Sequence, residues 1–170
     1  MPPSEVPETT PRRPSTAADF PRSGPFSLAA PGPRFAARAV DLLVVGFPAL
    51  LIIVVTTAVR NAQLEFDLPL WLGPSVFVLG SLYEFLGVVT TGRTPGKWLF
   101  GLRVVRMLDG RRPTAVQALL RGMVPWMFVA LPLGMLSVPV VLLVYGTAIA
   151  GELHRGVADQ AGGTVVISTR

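Results

Sequence analysis

Residues 39–59 read AVDLLVVGFPALLIIVVTTAV, and Asp41 is the only charged side chain in the run. A helix needs roughly 20 consecutive apolar residues to cross the hydrocarbon of a bilayer, so this stretch predicts a membrane-spanning helix. Two more apolar stretches, residues 70–90 and 124–150, satisfy the same length requirement. Of the chain's 170 residues, 51% are hydrophobic and 15% charged, with a mean hydropathy of +0.55. That balance excludes an ordinary soluble domain and predicts an all-α integral membrane protein with three apolar spans.

The third stretch is broken by proline: Pro125, Pro132 and Pro139 recur every seven residues, and Gly134 follows the middle one. Proline removes a backbone donor and kinks a helix, and carbonyls freed within a membrane must be satisfied by protein or water. One kinked span would leave the carboxyl terminus outside. Two half-helices in a re-entrant hairpin would return it to the cytoplasm, although halves of about 13 residues reach only about 20 Å each. Residues 99–107 (LFGLRVVRM), followed by Asp109-Gly110, and residues 164–168 (TVVIS) read as short β-rich segments. They can pair only if both lie on one face of the membrane.

Residues 1–33 differ from the rest. Proline recurs from Pro2 to Pro33 among Ser, Thr, Ala and scattered Arg, with no apolar periodicity, which predicts a disordered tail ahead of a membrane domain over 34–168. No apolar run precedes residue 39, so no cleaved signal peptide is expected. Five Lys or Arg precede the first span, Arg60 alone lies in the loop at 60–69, seven fall in 91–123 and two follow residue 150. The positive-inside rule therefore places the amino terminus and the second loop in the cytoplasm. A leaflet with anionic head groups would hold that loop at its surface.

Composition also removes function classes. With no cysteine and the single histidine His154, thiolate chemistry, disulfides and cysteine- or histidine-ligated metal centres are excluded. No cofactor is expected. A pI near 11.0 invites a nucleic-acid reading, but the basic residues follow membrane topology and leave no compact basic domain over. Thr94-Pro-Gly-Lys97 is not a phosphate loop, because Thr91 replaces the first glycine of that motif and Trp98 its hydroxyl residue. No nucleophile elbow or HExxH occurs either, and the chain is not expected to be an enzyme.

Five separated motifs then occur in order: Arg38-Ala-Val-Asp41, Gly92-Arg-Thr-Pro-Gly-Lys97, Gly101-Leu-Arg-Val-Val105 with Asp109-Gly110, Arg121, and Asp159-Gln-Ala-Gly-Gly-Thr164-Val-Val. Over residues 34–168 the chain resembles the RDD family of bacterial membrane proteins. The resemblance implies that Arg38, Asp41 and Asp159 are the namesake positions, with Arg121, Thr94, Gly96 and Lys97 as companions. It further implies cation/proton exchange as one activity proposed within the family. The approach to the last acid, Glu152-Leu-His154-Arg155-Gly-Val-Ala-Asp159, departs from the family pattern, so no role is carried onto His154.

Read as chemistry, Arg38 and Asp41 share one helix face. They form either an interfacial pair, with Asp41 favoured by the helix dipole and Arg38 snorkelling, or a buried binding pair. Glu84, about two-thirds through the second span, is expensive there unless paired. Unpaired, it could take up a proton near neutral pH, as a carrier requires; paired, its partners would be Tyr145, Arg93 or Arg121. Thr94, Gly96 and Lys97 read as a lipid-facing turn with Trp98 as an anchor. Asp159 is either a solvated turn residue or the partner of Arg121 or Arg38. The candidate polar cluster is therefore Arg38, Asp41, Glu84, Arg121 and Asp159.

Two functions fit. The first is a plasma-membrane transporter exchanging a monovalent cation for protons through Glu84 and Asp41. Three helices enclose little volume, so it would work as a homo-oligomer packed through Gly146-x-x-x-Ala150. The second is a non-catalytic accessory or assembly subunit of a larger membrane complex, with its proline-rich tail recruiting a partner.

Overall fold

The computed structural model describes Pro14 and residues 16–60, 71–130, 137–149 and 151–170. Helix α1 spans Pro31–Arg60 and α2 spans Leu72–Thr91, and these are the two described helices long and apolar enough to cross a membrane. Leu43, Phe47 and Leu50 of α1, and Val78, Leu79 and Leu82 of α2, are exposed, whereas Arg38, Asp41 and Glu84 of the same helices are buried. Soluble proteins distribute residues the other way. Apolar side chains outward and charges inward suit a lipid solvent.

The third apolar stretch is not one described helix. Helix α4, Ala115–Ala130, begins well before residue 124, and α5, Ser137–Gly146, follows. Residues 131–136, which hold the expected break at Pro132 and Gly134, lie outside the described residues. With 16 and 10 residues, α4 and α5 reach about 24 and 15 Å, short of a core about 30 Å thick. The two helices pack on each other, and α4 lies along α2 in the most extensive helix–helix contact.

The short helix α3, Pro95–Leu99, follows α2 through a tight turn and packs on α1. Strands β1, Leu102–Arg106, and β2, Thr164–Ser168, pair antiparallel with Leu102 opposite Ser168 and Arg106 opposite Thr164. The first β-rich segment is thus shorter than 99–107, because Leu99 ends α3. Helix α6, Val157–Ala161, leads into β2 and packs on α4. One sheet face buries Val104 and Val166 with Val88 of α2, Ala118 of α4 and Ala37 of α1. The opposite face, through Val105, Val165 and Ile167, packs against Phe20, Leu28 and Leu153.

Part of the segment assigned by composition to the tail is fastened to this sheet. The Phe26 and Ala29 amides donate to the Ser168 and Val166 carbonyls at 2.9 and 3.0 Å, the Ser168 amide donates to the Ser27 carbonyl at 2.9 Å, and α1 begins at Pro31 rather than after residue 33. Its apolar residues supply the reason. Leu28 bridges to Ile167, Phe20 packs beside it, and Ala29 is buried, so the exposed edge of β2 gains partners. Residues 1–13 lie outside the described residues.

Val104 is fully buried, whereas Leu108 is 58% exposed. Val104→Ala should cost about 2 kcal/mol, from lost apolar burial plus a cavity. Leu108→Ala should stay within about 0.5 kcal/mol. Unfolding of the detergent-solubilised protein measures both.

Candidate functional site

The site grows from the turn after α2. Thr94 is the N-cap of α3, its side chain accepting from the Lys97 amide at 3.4 Å, and Pro95 occupies the first turn, where a missing N–H costs nothing. Gly96 is required for proximity: a Cβ there would lie 2.1 Å from the Ala37 carbonyl oxygen and 2.7 Å from Asp41 Oδ1. Its absence lets α3 sit directly on α1. Asp41 then accepts from the Gly96 amide at 2.9 Å, the Tyr83 hydroxyl at 2.8 Å and the Thr94 hydroxyl at 2.6 Å, with Lys97 Nζ 3.7 Å away. The amide that a phosphate loop would offer its ligand is occupied by this carboxylate.

Glu84, on α2, is the centre. Arg38 Nη1 of α1 donates to its Oε2 at 2.5 Å, Lys97 Nζ of α3 to its Oε1 at 3.2 Å, and Arg121 Nε of α4 lies 3.8 Å from Oε1. All four residues are buried. The Arg38 guanidinium also lies over the Trp126 ring, 4.9 Å from its centroid, a cation–π geometry. Trp126 fits against α2 because residue 80 is glycine; a Cβ there would meet the ring at 2.1 Å.

A second carboxylate continues the network. Asp159 of α6 is held by Arg34 of α1 and Arg121 of α4 and accepts from the Gly156 amide at 3.3 Å. Arg121 Nη1 also donates to Thr164 Oγ1 at 2.9 Å, and Arg155 caps the Thr164 and Asp159 carbonyls at 2.9 and 3.1 Å. Burial pulls the Lys97 ammonium below its ordinary value, while the carboxylates of Glu84 and Asp41 push it back up.

All five members of the expected polar cluster, Arg38, Asp41, Glu84, Arg121 and Asp159, therefore meet. Several expected roles change. Thr94, Gly96 and Lys97 do not face lipid, because capping, the glycine contact and ion pairing turn them inward; Pro95 and Trp98 of that turn are exposed. Asp41 is the eleventh residue of α1, too far along for a helix-terminal role, and Arg38 is buried rather than snorkelling. Glu84 is not unpaired, so the condition for its proton uptake is unmet. Among its foreseen partners Arg121 is found, Tyr145 has a side chain outside the described set, and Arg38 and Lys97 were not foreseen. Asp159 is buried rather than solvated. Ala150 of the small-residue motif lies outside the described residues.

Sequence reasoning missed Arg34, Tyr83, Trp126 and Thr164. For Arg34 a signal exists: it lies four residues before Arg38, on the same face of α1, which begins at Pro31, eight residues ahead of the apolar run. Nothing in composition marks Trp126 as the platform for Arg38.

A cavity of about 60 Å³ opens beside the network, with Arg34, Arg38, Lys97, Arg121, Glu84 and Asp159 in its wall and apolar side chains completing it. The sequence model of the RDD family matches residues 28–163, and the chain belongs to that family of membrane proteins. No curated protein and no solved structure matches it.

Lys97 is the only lysine in the chain and is 8% exposed. An amine-reactive reagent should therefore label the folded protein at the amino terminus and spare Lys97 until it unfolds, as peptide mass mapping reads. Glu84→Gln should destabilise by about 3–5 kcal/mol, because three buried cations lose their shared counter-charge. Thr94→Val, which strands one Asp41 oxygen without its donor, should cost about 1–3 kcal/mol. Unfolding in mixed micelles ranks the two.

Proposed function

We propose that this RDD-family chain is a multi-pass protein of the cell membrane with its amino terminus cytoplasmic. In this reading it acts as a non-catalytic accessory or assembly subunit, and its buried network fastens cytoplasmic elements to the spans. One observation carries the reading: each of the three carboxylates buried among the described residues, Asp41, Glu84 and Asp159, is engaged by the chain's own cations. A cation carrier needs an acid that exchanges partners for cargo.

Topology follows the same logic. The hydrogen bonds joining residues 26–29 to β2, and β2 to β1, favour one membrane face for the amino-terminal segment, the 91–123 loop and the carboxyl terminus. Seven basic residues in that loop favour the cytoplasmic face, against anionic head groups. Helices α4 and α5 then form a returning hairpin instead of a single third span. The proline-rich residues before Pro14 are the segment that would recruit a soluble partner.

Monovalent cation/proton exchange by a homo-oligomer is the second reading, favoured by the depth of Glu84 in α2. The accessory reading predicts that folded protein in proteoliposomes gives no cation-driven proton flux. Flux that disappears in Glu84→Gln and Asp41→Asn at matched protein levels would establish the exchanger instead. Reporters placed at the amino terminus, at Asp109-Gly110 and after Arg170 should all read the cytoplasmic side; an outside reading after Arg170 would remove the hairpin.

A further inference from the structure

The cavity beside Glu84 has an imbalanced wall. Arg34, Arg38, Lys97 and Arg121 bring four positive charges to it against the two negative charges of Glu84 and Asp159, and with Asp41 behind Lys97 at 3.7 Å the balance of the network still stays positive by one. Both carboxylates are already committed: Glu84 to Arg38, Lys97 and Arg121, and Asp159 to Arg34 and Arg121. A cation entering here would meet a positive wall. An anion would meet guanidinium groups, whose planar donor arrays match phosphate oxygens.

Size agrees with this. At roughly 10–15 Å³ for each water on the same measure, 60 Å³ holds about four to six small heavy atoms, the scale of a tetrahedral oxyanion. The remaining wall is apolar, including Phe35 of α1 and Val144 of α5. It can accept the body of a phosphate ester as well as the free ion.

We infer that this cavity is a binding site for a phosphate-class oxyanion, either inorganic phosphate or the phosphomonoester head of an anionic lipid. The inference goes beyond the accessory reading and holds equally if the protein is an exchanger. Bound phosphate would lower the cost of holding four cations together and would tie the α1, α3 and α4 ends of the network to one ligand.

The test uses the full-length protein, with thermal unfolding as readout. Inorganic phosphate is titrated against sodium chloride at equal ionic strength, and in parallel the protein is placed in nanodiscs of phosphatidylcholine with or without phosphatidic acid. Ala148→Leu is measured beside wild type: Ala148 lines the cavity, is 8% exposed and belongs to no ion pair, so the larger side chain fills the space and leaves the charges. The expected result is a saturable rise in Tm with phosphate or with phosphatidic acid, lost in Ala148→Leu. A rise with both probes identifies the phosphate group itself as ligand, and a rise with phosphatidic acid alone identifies the lipid head. A response no larger than that to chloride, or one fully retained in Ala148→Leu, overturns the proposal. Should Ala148→Leu fail to fold, Val144→Phe serves as the second cavity-filling variant under the same criterion.

Discussion

The carboxylate of Glu84 is the constraint on which the rest of this structure depends. A lone ionised carboxylate at that depth would cost several kcal/mol, and it is accommodated because Arg38, Lys97 and Arg121 converge on it from α1, α3 and α4. Each cation in turn needs that acid. The network extends on one side through Lys97 to Asp41 and Thr94, and on the other through Arg121 to Asp159 and Arg34. Lipid tails provide little hydrophobic drive between helices, so close contacts at small residues and polar bonds must set their register. Gly80 and Gly96 supply the close contacts here, and the ion pairs supply the specificity.

The proposed function rests on what the network leaves over. In a cation pathway a carboxylate is held ready for cargo, whereas the acids of this centre are saturated by the chain's own donors. The surplus is positive and lies against a cavity. The same features thus turn the reading away from cation exchange and towards a scaffold whose polar heart is complementary to anions.

Much of this was legible in the sequence, and the limits have physical reasons. Long apolar runs, each holding a single carboxylate, identify α1 and α2 because crossing a bilayer demands length and apolarity together. Val-rich segments near 102 and 164 mark the strands, and the depth of Glu84 marks it as an acid that is costly unless paired, whereas Asp41 reads equally as a member of an interfacial or of a buried pair. Direction was not legible. Lys97 and Thr94 read as lipid-facing because an interfacial turn usually is; only the contact between Gly96 and Ala37, a tertiary fact, turns them inward. Arg34 is hidden because the apolar run that marks the first span begins only at residue 39, whereas α1 itself begins at Pro31, with Pro31 and Pro33 in its first turn, where proline is tolerated. The packing of Phe20 and Leu28 on the sheet depends on a strand at the far end of the chain, Ile167 for Leu28, which no local pattern announces.

Whether Glu84 and its cations act as one unit is measured by a double-mutant cycle between Glu84→Gln and Lys97→Met, read as unfolding free energy in mixed micelles. Strong coupling is expected: each single change is costly, and the double variant loses far less than the sum, because removing both members of a buried pair leaves fewer stranded charges. Additive losses, with the double variant as unstable as the two singles combined, would mean that the charges act independently and that the network does not hold the fold together.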